Sequence, residues 1–145
     1  MAGDDLRKRI DFLEETYEFL LSYAARGLTG RESSGSGELR DYLSDAAKIA
    51  GELPELFREA VSELEPDSKE PFESYGEVLA SDADATRRAL ELVLAQPSIS
   101  SQLIDNLNAS IHFRALLTDL FLVDEIFNPR HVRKAEAKAA KAEAS

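Results

Sequence analysis

The sequence predicts an all-α protein, an up-down-up-down four-helix bundle, on the strength of three observations. Apolar residues recur at alternating steps of four and three along most of the chain, the spacing of a helix buried along one side. No run has the apolar–polar alternation of a strand, and Val, Ile and Thr together contribute only fifteen of the 145 residues. Polar segments containing Gly, Pro and Ser separate the periodic runs, as expected for connections between helices.

The first predicted helix is capped by Asp4 or Asp5 and ends near Gly27 and Gly30. Its 4-3-4-3-4 seam consists of Leu6, Ile10, Leu13, Tyr17, Leu20 and Ala24. A polar, Gly- and Ser-rich stretch over residues 28–37 predicts a flexible loop.

The second predicted helix has the most regular periodicity in the chain. Its seam consists of Leu39, Leu43, Ala46, Ala50, Leu53, Phe57, Ala60 and Leu64. Pro54 lies in the middle, where it lacks a backbone donor and crowds the carbonyl of Ala50. Because the phase is unbroken, we expect one helix that is kinked at Pro54.

The third predicted helix has Pro71 in its first turn and ends before Pro97. Within it, residues 81–84 (Ser-Asp-Ala-Asp) are typical of a new N-cap, which predicts a break or kink near Ser81. Residues 98–128, between Pro97 and Pro129, contain no Gly or Pro and predict one long last helix. Ten of the fifteen residues at 113–127 are apolar and lie on more than one side, so this helix should be buried on several sides.

The predicted domain organisation is a single helical domain over residues 1–129 and a basic, disordered or fraying Ala/Lys/Glu tail over residues 130–145. The tail has a local charge of +3, which leaves −14 on the remaining body. Its cations are Arg130, Arg133, Lys134, Lys138 and Lys141. The tail is either a solvated extension or an arm that contacts an acidic surface. Its residues do not distinguish between these two interpretations.

Composition excludes several classes of function. There is no Cys, which removes disulfides and thiolate chemistry, and the net charge of −11 argues against nucleic-acid binding. The last helix is too short and too charged to span a membrane, because Arg114, Asp119, Asp124 and Glu125 interrupt it. The first five residues are acidic and lack the apolar core of a secretory signal, so a cytoplasmic location is expected.

The candidate polar site is the stripe of Asp105, Asn108 and His112, which i, i+3, i+7 spacing would place on one helical face, with Asp119 seven residues further on. His112 could be a ligand or proton carrier that Asp105 or Asn108 orients. The alternative is that the stripe faces solvent or makes interhelical hydrogen bonds. We favour this second interpretation.

A metal site and a cofactor are not predicted. Glu14, Glu15 and Glu18 on the first helix could supply carboxylates, but the paired Glu-x-x-His motifs of di-iron bundles are absent. His112 has Ala109 and Ala115 at three-residue spacing, and alanine cannot bind a metal.

Residues 110–114 (Ser-Ile-His-Phe-Arg) in an acidic helical bundle resemble histidine phosphotransfer modules, and the resemblance implies His112 as the phosphoacceptor. Those modules usually carry Lys three residues after the histidine, followed by Gly. Here these positions are Ala115 and Leu116, so the pattern is incomplete.

The surplus of apolar residues on the first and last helices is typical of a subunit interface, a partner groove or an apolar ligand cavity. We expect a homodimer, since two-fold assembly of identical surfaces is the commonest oligomer, with a different protein partner as a further possibility. The predicted contact residues are Phe12, Phe19, Val123 and Phe127. The sequence thus predicts a non-catalytic interaction or assembly module. The alternative is a bundle with a functional pocket for a small apolar ligand, or with a signalling site at His112.

Overall fold

The computed structural model describes residues 1–30 and 36–129, and every regular element within these ranges is an α-helix, as predicted. The helices are α1 (Ala2–Ala25), α2 (Ser36–Leu64), α3 (Glu70–Leu94), α4 (Ser101–Ala109) and α5 (Ile111–Phe127). Residues 31–35 of the predicted 28–37 loop and the whole predicted tail, residues 130–145, lie outside the described residues, and the last two residues of the predicted loop already belong to α2. No helix in the described ranges is both long and apolar enough to cross a membrane.

Helix α2 is continuous through Pro54, which confirms the prediction of one helix rather than two. The predicted seam is buried from Leu39 to Ala60, and only its last member, Leu64, is exposed. The helix ends where Glu65 adopts a left-handed backbone (φ 50°) and its N–H donates to the carbonyl of Val61 (3.1 Å).

Helix α3 begins with Pro71 in its first turn, as predicted, but the predicted break near Ser81 is wrong because the helix continues to Leu94. Packing explains the continuity, since Ala83 within the N-cap-like residues and Thr86 just after them are both buried. The Thr86 hydroxyl donates to the Asp82 carbonyl within the helix (2.8 Å) and to the His112 carbonyl of α5 (3.0 Å). Tertiary contacts therefore override the local capping signal.

The predicted single helix over residues 98–128 is also wrong. Ser110 has an extended backbone (φ −64°, ψ 147°) and separates α4 from α5. Its hydroxyl donates to the Leu107 carbonyl (2.6 Å), a local side-chain bond that competes with the helical backbone pattern. Helix α4 itself begins only at Ser101, where the Ser100 hydroxyl accepts a bond from the Leu103 N–H (3.1 Å).

Two pairs of neighbouring long helices run antiparallel, α1 with α2 and α3 with α5. The Ala2 N–H at the start of α1 donates to Glu63 near the end of α2 (2.9 Å). The α3–α5 pair is antiparallel as well, because Phe72, at the start of α3, packs on Phe127, at the end of α5 (ring centroids 6.4 Å apart). Helix α5 lies between α3 and α1, and buried leucines from α1, α2, α3 and α5 form a common core.

The short helix α4 closes one end of this core against α1. The Ser101 N–H donates to the Leu28 carbonyl (2.8 Å), and the Tyr23 hydroxyl donates to the Ile99 carbonyl (2.7 Å). Gly30 is required here, since it has φ 94° and a Cβ would lie 3.0 Å from the backbone of Ile99.

Candidate functional site

The predicted polar stripe is not one surface, because the break at Ser110 places Asp105 and Asn108 on α4 and His112 on α5. Asn108 is buried and its amide donates to the Leu20 carbonyl of α1 (3.2 Å), so it is an interhelical tie. Asp105 and His112 are exposed. The three side chains therefore do not form a combined site with the predicted spacing.

The predicted contact residues of α1 pack within the chain. Phe12 and Phe19 are half-buried and stack on Tyr42 of α2, with ring centroids 5.9 Å and 4.5 Å from its ring. Phe19 also stacks on Tyr23 (6.5 Å). The second apolar side of α1 is thus largely covered by α2.

The two predicted contact residues of α5 differ from each other. Val123 is buried in the core, with 1% of its surface exposed, and cannot itself form a surface contact. Phe127 is half-buried and its ring meets Phe57 edge-on at 5.9 Å. The exposed apolar surface lies instead beside Val123, on the outer side of α5.

We call this outer surface the α5 strip. At about 100° per residue its members fall within about 140° of the helix circumference. They are Ile111, Arg114, Thr118, Phe121, Leu122, Glu125 and Ile126, all of them exposed. Phe121, Leu122 and Ile126 each retain about half of their accessible surface. None of these three was among the predicted contact residues, although a helical wheel places them on the same side of the helix.

One groove, between α3 and α5, borders the end of the α5 strip, and a second groove, between α2 and α3, shares Phe57 and Phe72 with it. The α3–α5 groove has a volume of about 220 Å³ and is almost entirely apolar, with Tyr75, Leu122 and Phe127 among its walls. The α2–α3 groove, about 390 Å³, is bordered by charged residues of both signs. These charged residues are Arg58, Lys69, Glu73 and Glu77.

A carboxyl cluster lies between α3 and α5. The Tyr75 hydroxyl donates to Asp119 Oδ1 (3.0 Å), and Asp82 of α3 lies close enough to Asp119 to raise its pKa. Burial raises the pKa of Asp119 to about 7, with a further rise from Asp82. The sequence signal was incomplete here, since Asp119 was grouped with His112 and Asp82 was interpreted as a cap.

A buried ion pair joins α1 to the end of α5. Arg7 Nη1 lies 2.7 Å from Asp124 Oδ2, and the Asp124 side chain is only 4% exposed. The Asn128 amide donates to the other Asp124 oxygen (2.9 Å). These bonds fix the position of the α5 C-terminus and have no evident chemical role beyond that.

The three glutamates considered as metal ligands do not form a cluster. Glu14 is half-buried, which raises its pKa, whereas Glu15 and Glu18 are exposed. Within residues 1–30 and 36–129, no group of three or more His, Cys, Asp or Glu side chains could hold a metal ion.

Comparisons with protein-family models, with curated proteins and with solved structures find no match for this chain. The function is therefore inferred from the geometry of the chain's own residues. Among the described residues, four of the nine exposed large apolar side chains lie on the α5 strip: Ile111, Phe121, Leu122 and Ile126.

Proposed function

We propose that the protein is a non-catalytic assembly module in which the α5 strip of one copy packs against the α5 strip of a second copy. The observation that carries the proposal is the solvent exposure of Phe121, Leu122 and Ile126 on one side of a single helix. Burying a side chain of this size stabilises an assembly by about 1.5–3 kcal/mol, and a two-fold dimer buries each one twice.

The scaffold for this assembly is proposed to be an up-down-up-down bundle of α1, α2, α3 and α5, with α4 as a short addition. The antiparallel pairs described above favour that topology. In such a bundle α5 is packed on two sides and presents the third to solvent, so its outer strip is available for a partner.

Charges on the α5 strip favour a second copy over an unrelated partner. Arg114 lies near one end of the strip and Glu125 near the other, with Thr118 and Phe121 between them. A two-fold axis near Thr118 and Phe121 would make two α5 helices antiparallel and bring Arg114 of each copy near Glu125 of the other. The surface is thus self-complementary in charge, which favours this register and orientation.

The test is a pair of matched Leu-to-Glu substitutions. Leu122→Glu places a carboxylate in the centre of the proposed contact, so we expect the dimer dissociation constant to rise at least tenfold, as measured by sedimentation equilibrium. Leu92→Glu is the control, since Leu92 is 67% exposed and lies near the C-terminal end of α3, whereas the α3–α5 groove is near the N-terminal end of that helix. Equal effects of the two substitutions would contradict the proposal.

Charge reversal tests the proposed register. Arg114→Glu should weaken the dimer, and adding Glu125→Arg in the same chain should restore it, because the double variant re-forms the opposite-charge pairs across the axis. Circular dichroism checks that all variants remain helical. Failure of the double variant to recover affinity would exclude this antiparallel arrangement.

The second candidate function is binding of a small apolar ligand, which the α3–α5 groove favours. Its lining is nearly devoid of polar surface, and it is open to solvent beside Leu122. A signalling role for His112 has less support, because its exposed side chain makes no hydrogen bond with Asp105 or Asn108 among the described contacts. Native mass spectrometry of purified protein separates ligand binding from self-association by mass.

A further inference from the structure

Asp119 is a nearly buried carboxyl whose two oxygens have different surroundings. The side chain belongs to a residue that is 9% exposed, and its Oδ1 accepts a hydrogen bond from the Tyr75 hydroxyl (3.0 Å). Its Oδ2 is buried and has no donor within hydrogen-bonding distance. A charged carboxylate oxygen without a donor is costly to bury, so the arrangement calls for a proton.

Asp82 provides the group with which Asp119 can share that proton. Asp82 and Tyr75 are seven residues apart, so both lie on the face of α3 that meets α5. Asp82 is close enough to raise the pKa of Asp119, and Asp119 can donate a hydrogen bond to a carboxylate only while it carries its proton.

The charged surroundings of the pair are simple. From α3, the groups that act on Asp119 are Tyr75 and Asp82. On the α1 side of α5, Glu14, Glu18 and Arg114 border a separate depression around Thr118 and Phe121. On α4, Asp105 is exposed. Among the described ion pairs none includes either carboxyl of the pair.

We propose that the proton held by Asp119 acts as a latch, because it lets Asp119 of α5 bond to Asp82 of α3, and that loss of this proton at rising pH loosens the C-terminal half of α5. The consequence reaches the surface because Tyr75 both donates to Asp119 and lines the α3–α5 groove with Leu122 and Ile126. The latch thus makes the shape of this groove sensitive to pH. It does not depend on self-association.

The direction of the pH effect follows from linkage. The pKa of Asp119 is raised from 3.8 to about 7, first by burial and then by Asp82, while the bond from Tyr75 acts in the opposite direction. The folded protein therefore holds a proton that the unfolded chain has released between about pH 4 and 7. Stability from the latch is present at the acidic end of this window and is lost as the pH rises through the folded value.

The test is Asp119→Asn, which imitates the protonated form. The carbonyl oxygen of the introduced amide can accept from Tyr75 while its NH₂ group donates to Asp82, with no proton to lose. We expect the wild-type unfolding constant, divided by that of the variant, to rise by up to tenfold per pH unit between pH 5 and 7 in urea titrations. Both proteins share the two histidines, so any histidine contribution cancels in this ratio.

Asp84→Asn is the matched control. Asp84 is a neighbouring aspartate of α3, but its ion pairs with Arg87 and Arg88 lower its pKa, so its replacement should leave the dependence between pH 5 and 7 unchanged. Amide hydrogen exchange at pH 8 should be faster at Leu122 and Ile126 in the wild type than in Asp119→Asn. The proposal is overturned if the ratio of the wild-type unfolding constant to that of Asp119→Asn stays constant from pH 5 to 8. It is also overturned if the amide hydrogens of Leu122 and Ile126 exchange equally fast in the two proteins.

Discussion

At the scale of single residues, the stability that an ion pair contributes depends on how far its members are buried. Arg7 contacts Asp124, whose side chain is 4% exposed, and Asp11, whose side chain is 55% exposed. The bond to Asp124 joins α1 to the end of α5, while the bond to Asp11 lies within α1. Loss of Asp124 would leave Arg7 with only the exposed Asp11 as a partner, whereas water readily replaces an exposed partner that is lost.

These two aspartates give a residue-scale prediction with an internal control. Asp124→Ala should lower the free energy of unfolding by about 1–3 kcal/mol, because the Arg7 guanidinium, whose side chain is 23% exposed and also contacts Asp11, loses its buried partner. Asp11→Ala removes the exposed partner of the same guanidinium and should cost at most about 1 kcal/mol. Urea unfolding at neutral pH measures both, and equal losses would show that Arg7 is not held by Asp124.

At the scale of helices, the sequence predicted what depends on apolar periodicity and missed what depends on tertiary contacts. The seam of α2 was predicted correctly across Pro54, since one phase of burial runs from Leu39 to Ala60. The break at Ser110 was missed because nothing in the apolar pattern marks a serine whose hydroxyl bonds to Leu107.

The candidate site was only partly predictable for the same reason. Periodicity identified α5 as apolar on several sides, but it could not say that Val123 faces the core while Leu122 faces solvent. That distinction depends on which neighbours α5 has. The Asp82–Asp119 contact joins residues 37 positions apart on different helices, so no local spacing could have indicated it.

Pro54 gives the prediction at this scale. Proline within a helix is about 3 kcal/mol less favourable than alanine, because it lacks the N–H that would bond to the carbonyl four residues earlier. Pro54 is half-buried at the edge of the α2–α3 groove, so alanine fits without a clash. We expect Pro54→Ala to raise the free energy of unfolding by about 1–3 kcal/mol in urea titrations. A loss of stability would instead show that a bend at Pro54 is needed for packing.

At the scale of the whole molecule, association must overcome net charge. Each copy carries −11, so two copies repel each other at long range, and a contact has to form where the surface is locally neutral and apolar. On α5 itself Arg114 and Glu125 have opposite charges around Phe121 and Leu122, while Glu14 and Glu18 of α1 add negative charge beside Phe121. Added salt screens the general repulsion, so we expect the dimer to persist at moderate ionic strength.

The most direct test of the assembly proposal is the mass of the unaltered protein in solution. Sedimentation velocity from about 1 to 100 μM covers association free energies of about 8 to 5.5 kcal/mol. We expect a shift, as the protein concentration rises within this range, from a species of 16.0 kDa to one of twice that mass. A species that stays at 16.0 kDa throughout would contradict self-association through the α5 strip.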